Sequence, residues 1–225
     1  MGSSLPDIAP PPDTVALPGT APLEPRPVTV RARHAASLVV LRHRASGEPE
    51  LLMGMRGARH RFMPNRLVFP GGAVDRADLT AAAATPLALH TSTLLRKSAN
   101  PALAHGLGIA AARELAEETG LTLGDPPALD GLDYLCRAVT PPPGPVRFNA
   151  RFLVVDAARV SGSLAGSGEL EDLRFVDLDV ALALDVAMPT RFVIERLREW
   201  MALTEAARTA PRRTALLTRR DWRLE

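Results

Sequence analysis

Apolar residues along this chain fall first into short β-branched runs and later into helical intervals. Ala35–Leu41 is short, apolar and β-branched, which predicts a strand. A turn over Ala45–Pro49 and a second strand over Glu50–Met55 complete a hairpin. Leu67–Phe69 predicts a short buried strand that ends in the sharp turn Pro70-Gly71-Gly72. Tyr134–Val139 and Arg147–Asp156 read as strands on either side of Thr140-Pro141-Pro142-Pro143-Gly144-Pro145, and Glu169–Phe175 reads as another behind a Gly/Ser loop. Val180–Leu184 predicts a short helix. Thr190–Ala207, with Pro189 ahead of it, places Phe192, Val193, Leu197, Trp200 and Met201 at amphipathic helical spacing. Asn100-Pro101 has the N-cap and N1 residue types of a further helix. Gly106 and Gly108 weaken its first turns, which moves the expected start toward Gly108.

Strands and helices mixed in this order suit an α/β sandwich with a mixed sheet between helices. The chain has 225 residues, 46% of them hydrophobic, enough for one sizeable domain. Residues 1–27 are Pro-rich and poor in large apolar side chains, and are expected to form a flexible arm. The folded domain is expected over residues 28–209, with an insertion at about 76–104 and an Arg-rich tail at 210–225. The insertion has no acid cluster. Short helices are expected there, shaping a pocket mouth or a subunit contact, and a homodimer stays open. No apolar run approaches the roughly 20 residues of a membrane span. The formal charge of +2 does not imply a nucleic-acid partner. The single cysteine, Cys136, excludes an internal disulfide framework and is expected as a buried structural thiol in a cytoplasmic protein.

The candidate chemistry lies in Arg113-Glu114-Leu115-Ala116-Glu117-Glu118-Thr119-Gly120-Leu121. On a helix, Glu114, Glu117 and Glu118 occupy i, i+3 and i+4 and share a face. Gly120 is a C-cap residue type, so the carboxylates crowd the negative end of the helix dipole. Arg113 reaches Glu117 four residues on, but one Arg does not offset three carboxylates. A divalent cation does, and hard oxygen ligands suit Mg²⁺ or Mn²⁺. Taken alone, the same pattern also describes a solvated helix face.

With Phe69-Pro70-Gly71-Gly72 upstream, this stretch resembles the two ends of the Nudix box, G-x5-E-x7-R-E-U-x-E-E-x-G-U, where U is a bulky aliphatic residue. The resemblance implies an α/β/α sandwich and a metal-dependent hydrolase of nucleoside diphosphates linked to another group. It implies Glu114, Glu117 and Glu118 as metal ligands, with Arg113 in the catalytic set. The box is interrupted: Gly72 lies 41 positions before Arg113 (72 to 113) where the pattern has 14, an excess of 27. Counted back from Arg113, the position of the family's first Glu holds His105, and Asp75 and Asp78 are candidates to replace that Glu. Glu169 and Glu171 are candidates for the further acidic ligand or base that Nudix proteins often carry near that strand, and equally read as solvated edge charges.

Arg61-Phe62-Met63-Pro64, Val68-Phe69-Pro70-Gly71-Gly72 and the long insertion resemble the interrupted-box coenzyme A diphosphatases of peroxisomal type and their bacterial relatives. Arg223-Leu224-Glu225 is not a peroxisomal address. The basic residues Arg56, Arg59, Arg61 and Arg66, with Gly71 and Gly72 of the turn that follows, are expected as substrate-binding groups, because Arg forms bidentate bonds to phosphate. Coenzyme A or an acyl-coenzyme A is the substrate expected from this resemblance; ADP-ribose, dinucleotides and modified nucleoside triphosphates are the alternatives. A Nudix-fold ligand-binding regulator without catalysis is the other class left open.

Overall fold

Strand β1 (Arg33–His43) is the axis of the computed structural model, which describes residues 30–57, 65–166, 168–219 and 221–225. Its alternate side chains enter different cores: Val39 and Leu41 on one face of the sheet, Ala36, Leu38 and Val40 on the other. Burial on both faces explains why this strand reads as a continuous apolar run. The expected hairpin follows, with β2 (Pro49–Arg56) antiparallel to β1 and Leu41 opposite Leu51. Next come β3 (Leu67–Val68), which pairs with β2, and β4 (Gly71–Ala73), which returns to β1 with Gly71 opposite Ser37. A three-residue strand with two glycines has no legible period, and β4 was not expected.

Helix α1 (Leu89–Leu95) lies in the insertion, and α2 (Pro101–Thr119) carries the carboxylates. The start of α2 corrects the expectation of a beginning near Gly108. Asn100 caps it by accepting from the Leu103 N–H at 2.8 Å, and Pro101 is its first residue. Gly106 is tolerated inside the helix because Leu79 packs onto it, where a Cβ would approach Leu79 Cδ2 to 2.8 Å. The helix ends as expected at Gly120, in the left-handed conformation at φ 73°.

The chain continues through β5 (Leu121–Thr122), β6 (Asp133–Val139), β7 (Phe148–Asp156), β8 (Ser161–Gly162) and β9 (Leu170–Asp177). Helices α3 (Leu178–Ala183), α4 (Met188–Met201) and α5 (Glu205–Thr209) precede β10 (Ala215–Thr218) and β11 (Asp221–Leu224). The main sheet runs β11-β10-β6-β7-β1-β2-β3, with β4 on β1 and β9 on β2, while β5 and β8 form a separate pair. β1 is parallel to β7 and β6 is parallel to β10; the other neighbours are antiparallel.

Helix α2 covers one face with Leu107, Ala111 and Leu115, and α4 covers the other with Val193, Leu197 and Trp200. The result is the expected α/β/α sandwich around a mixed sheet. The helix expected over Thr190–Ala207 is two helices, because Thr204 caps α5 through its hydroxyl and the Ala207 N–H. The tail expected at 210–225 belongs to the sheet instead: Ala215, Leu216 and Leu217 are buried, with Ala215 opposite Cys136. Cys136 is fully buried, and burial pushes its thiol pKa up, as a structural thiol requires. No helix among the described residues is long and apolar enough to cross a membrane. The arm expected at 1–27 lies outside the described residues.

Candidate active site

Arg113, in the middle of α2, uses all five of its N–H donors. Nε and one Nη2 hydrogen bond Asp78 at 3.1 Å each, and Nη2 also donates to the Ala73 carbonyl at 3.0 Å. Nη1 donates to Glu114 Oε1 at 2.9 Å and to Glu117 Oε2 at 3.0 Å. The hydrogen-bonded Asp78 carboxylate is the chief reason that the Arg113 pKa lies above its ordinary value. Arg113 thus ties the segment after the Gly-Gly turn to two carboxylates of α2. The expected orientation of Glu117 is present, and Glu114 shares it.

Of the two candidates for the place of that first Glu, Asp75 and Asp78, only Asp78 is buried. It lies six positions after Gly72, the interval that G-x5-E prescribes, so the extra residues fall between Asp78 and Arg113. Its side chain is buried and grips Arg113 by both oxygens, while Asp75 is exposed with its nearest oxygen 3.9 Å from Arg113. His105, the residue reached by counting back from Arg113, instead bonds the Ala81 carbonyl through Nε2 at 2.8 Å and packs the insertion onto α2. Counting forward from Gly72 finds Asp78 directly.

The glycines set the approach of the turn to the helix. Gly71 N–H donates to Glu118 Oε2 at 2.8 Å, across 47 residues of sequence. At φ 155°, and with Ser37 and the Ala36 carbonyl against it, Gly71 has no room for a side chain. A Cβ on Gly72 would collide with the Glu114 carboxylate. Glu118 is 3% exposed, and burial pushes its pKa up to about 7, against the lowering effects of the Gly71 N–H and Arg56. Burial also raises Glu114, with the negative charges of Glu117 and Glu169 adding to the rise. Glu169 is exposed, yet its charge reaches both Glu114 and Glu118. Glu171 is exposed on β9 opposite Met55.

The other face of the turn opens on a cavity of about 340 Å³ between the sheet and α4. Arg56, Gly71 and Gly72 line it, together with Phe69, Phe152 and Leu217. Arg66 does not line it: its guanidinium pairs with Asp185 at 2.5 Å and bonds the Asp185 carbonyl at 2.8 Å. Arg59 and Arg61 lie outside the described residues. None of residues 76–104 lines this cavity, so the expectation that the insertion shapes its mouth is not met. Those residues pack behind α2, with Leu79, Leu94 and Leu95 against it or in its core. Leu217 and Arg219, which do line the cavity, come from the region read as a tail and were missed.

A hard divalent cation fits the chemistry of this donor set, three carboxylates of which two carry pKa values raised by burial. Their arrangement is not a closed cage, since no group of three such side chains among the described residues is spaced to hold a metal. Arg113 draws Glu114 and Glu117 to itself, and Gly71 holds one oxygen of Glu118.

No family model matches the sequence, and no curated protein matches it. The sandwich, with its carboxylate helix closed on a Gly-Gly turn, is the fold of the Nudix hydrolases. Among solved structures it is similar to the Nudix hydrolase from Alicyclobacillus acidocaldarius, at 26% identity and a TM-score of 0.58, over 75% of this chain and 91% of that one. The Nudix hydrolase RenU from M. smegmatis overlaps more loosely, at 20% identity and a TM-score of 0.45, over 77% of this chain and 89% of that one.

Proposed function

We propose that this protein hydrolyses a phosphoanhydride bond in a nucleoside diphosphate linked to another group, using Mg²⁺ or Mn²⁺ held by Glu114, Glu117 and Glu118. The observation that carries this reading is the Gly71 N–H to Glu118 bond, which closes an interrupted box onto one turn. Bound Mg²⁺ or Mn²⁺ supplies charge to the diphosphate oxygens and acidity to water. Arg113 orients Glu114 and Glu117, the Gly71 N–H holds Glu118, and Asp78 holds Arg113. Arg56 offers an N–H fork to the phosphates from the cavity wall. Glu169, within electrostatic reach of the carboxylates, is the candidate acceptor of the proton that the attacking water loses. One phosphate is the leaving group, so positioning and charge do the work without a covalent intermediate.

Within that class, coenzyme A or an acyl-coenzyme A is the substrate favoured here. The support is the subgroup resemblance of residues 61–72 with the long insertion, and an apolar cavity beside the turn with a cation in its wall. Hydrolysis would release 3′,5′-ADP and a phosphopantetheine. The test is product analysis on coenzyme A, ADP-ribose and a dinucleoside polyphosphate, each with Mg²⁺ and with EDTA. Metal-dependent cleavage with coenzyme A preferred supports the reading. Metal-dependent cleavage with another compound preferred removes coenzyme A and keeps the hydrolase. Ligand binding without cleavage of any compound would instead support a regulator.

A further inference from the structure

Among the described residues, the cavity wall contains two charged side chains, Arg56 and Arg219, and no carboxylate. The rest is neutral and largely apolar, with Phe69, Phe152 and Leu217 among it. None of the ion pairs among the described residues involves either Arg. The Arg56 Nε is buried without a hydrogen-bond partner. The buried, unbonded Nε of Arg56 leaves a complementary anion to the ligand, and Arg219, exposed at the rim of the same apolar space, offers a second cation there.

The two occupy opposite flanks. Arg56 ends β2 and its charge acts on Glu118, at the carboxylate end of the cavity. Arg219 follows β10, where Thr218 opposite Asp221 leaves a two-residue hairpin turn. Its φ of 56° is a conformation that such turns normally assign to Asn, Asp or Gly. Arg therefore has no conformational reason to be there. β10 lies three strand positions from β1, about 14 Å at about 4.8 Å per strand. An extended Arg side chain crosses only part of that distance back toward the Gly71-Gly72 turn.

We propose that Arg219 is a specificity-determining residue that binds a second phosphate of the substrate, a monoester separated from the diphosphate by a body of nucleoside size. This rests on the diphosphate-hydrolase reading above and adds a feature to it: the C-terminal hairpin β10–β11 selects substrates phosphorylated on the sugar. The apolar middle of the cavity receives the uncharged body between the two anionic ends.

The test uses two matched pairs of diphosphates that differ by one ribose phosphate, coenzyme A with 3′-dephospho-coenzyme A and NADPH with NADH. The full-length protein is compared with Arg219→Asn, which keeps a turn-compatible residue without the charge, and with Arg219→Lys. Wild type should prefer the phosphorylated member of at least one pair by tenfold or more in kcat/KM. Arg219→Asn should abolish most of that preference by raising KM for the phosphorylated member. Its kcat, and its kcat/KM on the unphosphorylated member, should stay within twofold of wild type. Arg219→Lys should retain part of the preference. Equal treatment of both members of each pair by wild type overturns the proposal, as does an equal loss on both members in Arg219→Asn. Absence of Mg²⁺-dependent cleavage of all four compounds by wild type overturns it at the level of the hydrolase reading, a result distinct from either of those.

Discussion

Asp78 and Arg113, 35 residues apart, are joined by a two-pronged hydrogen bond, 3.1 Å on each side, that closes the box across the insertion. The Asp78 side chain is 4% exposed and that of Arg113 27%, so the pair is largely withdrawn from water. Removing one partner of such a pair costs about 3–5 kcal/mol when fully buried, and about 2–4 is expected with Arg113 partly exposed. Asp78→Ala should therefore lower Tm by roughly 5–12 °C. It should also reduce kcat, because Glu114 and Glu117 lose a fixed Arg113. Asp78→Glu should recover most of both. Thermal unfolding and kcat of the two variants check this, and a stable, fully active Asp78→Ala would contradict it.

Gly72→Ala places a methyl group against the Glu114 carboxylate, while the backbone of Gly72 is not left-handed. The fold should survive, with the carboxylate displaced. A misplacement on the order of 1 Å costs about a hundredfold in rate. Circular dichroism should match wild type while kcat falls by roughly that factor; retention of wild-type kcat would show that Glu114 does not need its present place.

Glu118 titrates near 7 in the metal-free fold, against 4.5 ordinarily, because it is buried. A carboxyl with a raised folded pKa binds its proton more tightly when folded. Its contribution to stability is therefore present below about pH 4.5 and is lost as pH rises through about 7. At 1.36 kcal/mol per unit, the loss for a shift of this size is about 3 kcal/mol. Urea unfolding in EDTA at several pH values between 4.5 and 8 should show this decline, shallower in Glu118→Gln but not flat, because Glu114 shifts in the same direction. Saturating Mg²⁺ should reduce the decline, and metal binding below pH 7 should release protons measurable by calorimetry in buffers of different ionisation enthalpy. Identical pH slopes for wild type and Glu118→Gln would contradict the assignment.

Leu95, at the end of α1, is fully buried in the core that α2 shares. Leu95→Ala should cost about 2–5 kcal/mol. Since nothing in the insertion from residue 79 to 99 lines the cavity, kcat in the folded variant should stay within twofold of wild type. A large change in KM at unchanged fold would return the insertion to the substrate site.

The hairpin, the strands of the central sheet and the carboxylate helix were legible because each carries a period or a run longer than its flanks. The last strands were not. Ala215-Leu216-Leu217 is only three apolar residues set among arginines, and its burial comes from pairing with β6, which no local window contains. The start of α2 was misplaced for the same kind of reason, since Gly106 lowers helix propensity locally but accommodates Leu79 in the packed fold. Arg66 was read as a phosphate-binding group from proximity to the glycine turn, and its partner Asp185 lies 119 residues away. In the site, spacing placed the three glutamates on one face, and their link to Gly71 and Gly72 came from the resemblance to the Nudix box. The role of Asp78 required knowing on which side of it the insertion falls.

The central claim is that the α2 carboxylates hold the metal that makes phosphoanhydride cleavage possible, and Glu118→Gln tests it most directly. That variant keeps the shape of the side chain and an acceptor for the Gly71 N–H while removing the charge. Phosphorus NMR of the products formed from the preferred diphosphate should show cleavage by wild type with Mg²⁺ and none with EDTA. Glu118→Gln, folded to the same spectrum, should be slower by roughly a hundredfold or more, which corresponds to about 2.7 kcal/mol or more in the barrier. Cleavage by Glu118→Gln at the wild-type rate would contradict the account and place the metal site elsewhere.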